Sequence, residues 1–238
     1  MAPQRTRIAT TALAVALVSV VGIAIGVGLI HAGILQPLHG FLMFAAACLL
    51  GGASAILLGL IGVIRARFGK GTIRAYVAIA VGAILVGTAV VKAMPARELP
   101  RINDITTDLN DVPAFVIDTG ESGRDMSFNV EFSGPIRTAY SDLKTTVLIE
   151  PTGKVFDRVY VVARRLGWNI IHADKDGGVI QATDSSEIFK FVDDIIVRIR
   201  DVDGSTHVDM RSKSRDGKSD FGVNAYRIRA FSAALIVP

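Results

Sequence analysis

The first 94 residues contain no aspartate or glutamate, and this limits what the chain can fold into more than any motif does. All 22 acidic residues lie at Glu98 or beyond. Within the acid-free stretch, Ile8–Ile30, Gly40–Ile64 and Ala75–Val91 are uncharged runs of 23, 25 and 17 residues. A helix rises about 1.5 Å per residue, so about 20 apolar residues cross a hydrocarbon core of about 30 Å. Three transmembrane helices are therefore predicted, over about 8–30, 40–64 and 75–93. Lys92 can end the third by reaching its ammonium towards the head groups. The first run follows Arg5 and Arg7, as a leader peptide would. It exceeds the usual apolar leader region of about 7–15 residues, and no small-x-small site follows it before His31. It is read as a retained span.

The charge distribution sets orientation and removes one class of partner. A net charge of +4 would ordinarily suggest nucleic acid. Seven of the 26 basic residues, Arg5, Arg7, Arg65, Arg67, Lys70, Arg74 and Lys92, lie in the acid-free part. The other 19 share residues 95–238 with the 22 acids, so that part is near −3 and has no basic surplus for a nucleic acid to meet. Arg5 and Arg7 precede the first run, and Arg65, Arg67, Lys70 and Arg74 separate the second from the third. The loop His31–His39 has neither Lys nor Arg. The positive-inside rule then places the N-terminus in the cytoplasm. After three spans, the C-terminal part falls on the far side of the inner membrane, the periplasm of a Gram-negative envelope. No charged residue interrupts a run, which argues against a pump or transporter. Small residues recur at four-residue spacing: Gly22 and Gly26, Ala55 and Gly59, Ala78 and Gly82, Ala83 and Gly87. They allow close helix packing within the chain or, as the sharper reading, a homo-oligomer.

Motifs with catalytic chemistry are not found. "RFGKGT" at Arg67–Thr72 has Ile64 where a phosphate-binding loop needs its first glycine, and Gly71 where it needs Ser or Thr. The one cysteine, Cys48, lies in the second run, so a disulfide within the chain is ruled out. His31, His39, His172 and His207 are not at ligand spacing, and neither a metal site nor a cofactor is predicted.

The sequence thus divides into a membrane domain, 1–94, and an extracytoplasmic domain, 95–238, which is predicted to be α+β. Pro95, Pro100, Pro113, Pro135 and Pro151 break up its first part. "INDITTDLNDVPAF" is rich in Asp, Asn and Thr. It reads as a wrapping segment with little regular structure, or else as a surface carboxylate cluster of Asp104, Asp108 and Asp111. A helix follows from Thr152, with Thr152 as its cap, Val155, Val159, Val162, Ala163 and Leu166 on one face and Gly167 at its left-handed end. Two hairpins come next, Trp168–Ala173 with Val179–Thr183, and a second pair about Asp203-Gly204. In the second, Ile195, Val197 and Ile199 alternate with Ile196, Arg198 and Arg200, and Val208 and Met210 with Asp209 and Arg211. This predicts an antiparallel sheet with one apolar and one wet face, closed by a final helix from about Ser219 or Asp220. About 140 residues bury an adequate core without disulfides.

"NDITTD", "YSDLK", "LGW", "FVDDIIVRIR" and "RSKSRDGKSDFGVNAYRIR" together resemble the family called domain of unknown function 1499, over about Arg101–Phe231. The resemblance implies a membrane-associated protein of bacteria or plastids, and it implies no established reaction. Three readings of the last motif remain open. It can be a structural clasp, with Asp193, Asp194, Arg198 and Arg211 on the strands, and Asp220, Asn224 and Arg227 along one side of the last helix. It can bind an anion or a lipid head group, with Arg211, Lys213, Arg215 and Lys218 just before a helix N-terminus, although Asp220 competes there. It can be enzymatic, with Asp193 or Asp194 as base, Arg211 or Arg215 as clamp and Ser212 or Ser214 taking part. The preferred function is a non-catalytic binding or assembly module for an envelope ligand, membrane lipid or partner protein. The alternative is a membrane-bound enzyme acting on lipid or envelope material.

Overall fold

The computed structural model describes residues 2–66, 70–94, 97–117 and 125–236. Arg67 and Pro95, both used in the sequence reading, lie outside the described residues. The chain forms two compact units, Met1–Arg97 with Glu187–Lys190, and Glu98–Ser186 with Phe191–Pro238.

In the first unit, α1 spans Ala2–His31, α2 Pro37–Ala46, α3 Gly52–Ala66 and α4 Lys70–Ala93, with a π-turn at Ala47–Gly51 joining α2 to α3. Three stretches, Arg7–His31, Pro37–Arg65 and Gly71–Ala93, are long and apolar enough to cross a membrane. Each extends the uncharged run from which it was expected. The close packing of α3 on α4 needs small residues. A Cβ on Gly82 would stand 2.5 Å from the Gly52 carbonyl oxygen, and one on Gly59 3.0 Å from that of Ala75. Ala55 and Ala78 are fully buried beside them. Two of the four small-residue pairs are thus used inside the unit. Around Gly22 and Gly87 there is open space instead. Arg74 donates to Thr10 Oγ1 at 3.0 Å, so the start of α4 meets the start of α1.

The second unit is a six-stranded antiparallel sheet with helices on one face, an α+β architecture. Its strands are β1 Asp104–Thr106, β2 Thr146–Leu148, β3 Asn169–Asp174, β4 Val179–Ser185, β5 Val192–Val202 and β6 Ser205–Ser214. The order is β1-β6-β5-β4-β3, and β2 shares the β6 edge with β1. The helices are α5 Ser133–Ala139, α6 Thr152–Arg165 and α7 Val223–Ile236. Two strands and a short helix therefore arise within 95–150, where little regular structure was expected. β1 and β2 have three residues each and exist only because β6 supplies their partners.

Local chemistry explains most boundaries. α6 ends in a Schellman motif: Gly167 has φ +84°, its N–H reaches the Arg164 carbonyl, and the Trp168 N–H reaches that of Ala163. At its start the expectation is corrected, because Pro151 occupies the N-cap and Thr152 begins the helix without a capping bond. Asp203 and Gly204 both have positive φ, the two-residue turn that matches strand twist between β5 and β6. Before α7, Phe221 and Gly222 also have positive φ, 53° and 83°. They delay the helix from the expected Ser219 or Asp220 to Val223. One core unites Val155, Val159 and Val162 of α6, Ile228, Phe231 and Leu235 of α7, and Ile180, Ile195, Val197 and Met210 of the sheet. Trp168 stacks on Phe231 at 5.3 Å.

Candidate functional site: two polar networks and an edge cleft

Side chains alternate across a strand, so the polar residues of β5 and β6 cannot all meet. The predicted set divides between the two faces of the sheet. Asp193, Ser212 and Ser214 turn towards α7, whereas Asp194, Arg198 and Arg211 turn to the opposite face.

On the helix-covered face, Arg227 is the hub. Its Nη2 donates to Asp193 at 2.6 Å and to Asp184 at 2.9 Å, and its Nη1 to Ser212 Oγ at 3.0 Å and Asn224 Oδ1 at 2.7 Å. The Asn224 amide donates on to Ser214 Oγ at 3.0 Å and to the Asn103 carbonyl. Asp220 stands before α7 rather than in it, and accepts the backbone N–H groups of Gly222 and Asn224 at 2.9 and 2.8 Å. Burial raises the Asp220 pKa and nearby Asp193 adds to the rise, against the lowering effect of those two N–H groups.

The opposite face, expected to be wet, is covered by the segment that follows β1. Arg211 is only 2% exposed. It grips Asp104 bidentately, at 2.9 and 2.7 Å, and donates to the carbonyls of Pro113 and Met126 at 3.2 and 2.9 Å. The rings of Phe115 and Phe128 lie 4.8 and 5.6 Å from its guanidinium carbon. Gln181 of β4 holds the same segment by accepting from Val116 and Ile117 N–H at 2.9 and 3.0 Å. Arg215 meets Asp194 at 2.8 Å, and Lys213 donates to the carbonyls of Asp125 and Ser127, both at 2.9 Å. Three of the four cations assigned to anion capture are thus engaged within the domain.

Beside them, Arg198 and Arg200 share three carboxylates. Both reach Asp209, at 3.0 and 2.8 Å, and Asp111, at 3.0 and 2.7 Å. Each also lies 3.3 Å from Asp108. Burial alone would lower the Arg200 pKa, but the three carboxylates, led by Asp209, raise it overall. Asp104, Asp108 and Asp111 are therefore arginine ligands of the wrapping segment rather than a free surface cluster. Among the described residues no group of three His, Cys, Asp or Glu side chains is placed to hold a metal. Asp193 and Asp194, considered as bases, each face an arginine.

The cleft at the β6 edge has no direct signature in the sequence. β1 pairs with Arg211–Lys213 and β2 with Thr206–Val208, so Asp209 and Met210 lie between them. Thr145 Oγ1 donates to Asp209 at 2.6 Å, and Met210 N–H donates to Thr107 Oγ1 at 2.9 Å. The chain must leave the sheet on both sides of this gap, and α5 stands across it. The result is a cleft of about 550 Å³. Its apolar wall comprises Leu109, Ile136, Leu143 and the buried Tyr140, and its polar side chains include Asn110, Arg137, Ser141 and Lys144. Arg137 and Lys144 are exposed, and neither has an ion-pair partner among the described residues. Tyr140 Oη is buried and has no hydrogen-bond partner among the described residues, and burial raises its pKa. "YSDLK" pointed to this place through Tyr140 and Lys144, but its spacing alone does not indicate a cavity.

Three helices able to cross a membrane and an α+β sheet unit clamped by arginine–aspartate pairs define a membrane-associated protein with one folded extramembrane domain. The family described as protein of unknown function (DUF1499) matches residues 104–235, more than half of the chain, and the chain belongs to that family. No curated protein matches it.

Proposed function

We propose that the sheet unit is a non-catalytic binding module, held at the outer face of the inner membrane, for an envelope ligand, lipid or partner protein. One observation carries this reading. The conspicuous arginines and aspartates are consumed in pairing with one another, while two cleft cations, Arg137 and Lys144, have no ion-pair partner among the described residues and stand beside an apolar wall. Side chains locked in internal pairs build a scaffold, and an unpaired polar set in a concave site is what a ligand needs. The orientation, with the N-terminus cytoplasmic and the sheet unit periplasmic, is supported by the placement of Arg5, Arg7, Arg65, Arg67, Lys70 and Arg74. The open helix surfaces around Gly22 and Gly87 are available to a second copy of the chain.

Purification of the intact protein in mild detergent, followed by mass spectrometry of everything that accompanies it, tests the module. A lipid, small molecule or protein at a reproducible ratio to the chain is the expected result. A chain that consistently emerges bare overturns the reading. Protease added to spheroplasts tests the orientation: the sheet unit should be cut, and its complete protection would reverse the assignment.

A further inference from the structure

We propose that the cleft at the split edge of β6 takes a phosphate-bearing amphiphile, a phosphoryl head joined to an apolar body; this rests on the binding-module reading and deepens it. The cleft offers two kinds of surface. Among the described residues Arg137 and Lys144 have no carboxylate partner, since Asp108 in the same wall is already held by Arg198 and Arg200. An incoming anion therefore does not have to displace an internal partner. A guanidinium fork and an ammonium point charge both suit phosphoryl oxygens. Asn110 and Ser141 add an amide and a hydroxyl that no other side chain engages among the described residues. Leu109, Ile136, Leu143 and Tyr140 line the same cleft, Leu109 being the most accessible of them, and a free phosphate ion would leave this apolar part uncovered. A volume of about 550 Å³ is too large for a lone anion and falls in the range of small-molecule sites.

The wall is held in place by the network behind it. Asp108 is fixed by two arginines, and Thr145 is tied to the fully buried Asp209. A site organised before its ligand arrives avoids the ordering cost of binding.

The test uses the full chain in a neutral detergent, titrated by calorimetry with dihexanoyl phosphatidic acid and, separately, with glycerol 3-phosphate. Saturable binding of the lipid is expected, weakened about tenfold in the Arg137→Gln/Lys144→Gln variant, since two contacts of modest strength are lost. Both side chains are exposed, so the variant's thermal unfolding should match that of the wild type. Glycerol 3-phosphate binding about tenfold weaker is expected, because it leaves the apolar wall uncovered; equal binding would show that the wall takes no part and would overturn the amphiphile. Absence of saturable binding for both probes, or binding unchanged in the folded double variant, overturns the proposal. The copurification experiment is unaffected by that failure, so the module reading stands or falls separately.

Discussion

Arg211→Met tests most directly how the sheet unit is held together. Methionine keeps most of the length and the contact with Phe115 and Phe128 but removes the charge. Asp104, 1% exposed, would then be a buried carboxylate whose remaining cation is Lys213, 3.4 Å away. The carbonyls of Pro113 and Met126 would also lose their donors. Breaking a buried ion pair from one side costs about 3–5 kcal/mol. Lys213 offsets part of this and the lost carbonyl bonds add to it, which leaves a destabilisation of about 4 kcal/mol. For a unit of this size that lowers the unfolding midpoint by about 10–15 °C. Trp168 is the only tryptophan of the chain and stacks on Phe231 in the core of this unit, so its emission follows the sheet unit even in the intact, detergent-solubilised protein. Adding Asp104→Asn to Arg211→Met should recover about 1–2 kcal/mol, because the uncompensated charge is removed. A loss below about 1 kcal/mol in the single variant, or a double variant no more stable than the single, would refute the reasoning.

Three further outcomes follow from the same structure. The raised pKa of Asp220 means that the folded state holds its proton more tightly than the unfolded state, so its contribution is favourable at low pH and is lost as pH climbs from about 4 through the raised value; Asp220→Asn should gain on the wild type across that window in denaturant titrations, and a flat difference would contradict the burial argument. Gly178 has φ +65° and its Cβ would stand 2.2 Å from the Ile199 carbonyl oxygen, whereas Gly204, at φ +82°, faces open space; Gly178→Ala should cost about 3 kcal/mol and Gly204→Ala about 1, and similar unfolding midpoints for the two would show that the close approach is relieved cheaply. In the helical unit Gly82→Leu should lower thermal stability in detergent strongly and Gly87→Leu little, because only the first would drive a side chain into the α3 backbone.

Sequence legibility followed the range of the physics. Uncharged runs longer than a bilayer is thick are local and unambiguous, and all three became helices of that length. The alternation Ile195-Ile196-Val197-Arg198-Ile199-Arg200 gave both the strand and its two faces, because period two is a property of the backbone. What alternation does not reveal is what covers each face. Arg198, Arg200 and Arg211 read as solvated because their partners, Asp104, Asp108 and Asp111, lie about a hundred residues earlier in a stretch that looked like loop. β1 and β2 were missed for the same reason, since three residues carry no period and their stability comes from β6. Asp193 and Asp194 are neighbours in sequence, yet they serve different networks on opposite faces, with Arg227 and Arg215. Thr152 looked like a cap by residue type, but Pro151 already has the extended backbone that the cap position needs.

The two faces of the sheet solve unlike problems, and the difference explains why so much charge is buried in so small a unit. Towards α6 and α7 the sheet meets amphipathic helices, and branched aliphatic side chains fill the space between them. Towards the other face it meets a segment, Asp108–Phe115, that has no regular structure. Such a segment cannot be positioned by nonspecific burial, which has no direction. Arginine forks have direction: each fixes the angle and distance of a carboxylate or carbonyl. Ion pairs of this kind add little net stability once desolvation is counted, but they select one register for the chain they hold. The register matters at the β6 edge, where Asp108 and Thr145, both tied to the Asp209 cluster, set the width of the gap between β1 and β2. Under the proposed binding reading, the arginine–aspartate lattice acts indirectly, by holding open a cleft whose own cations, Arg137 and Lys144, have no ion-pair partner among the described residues.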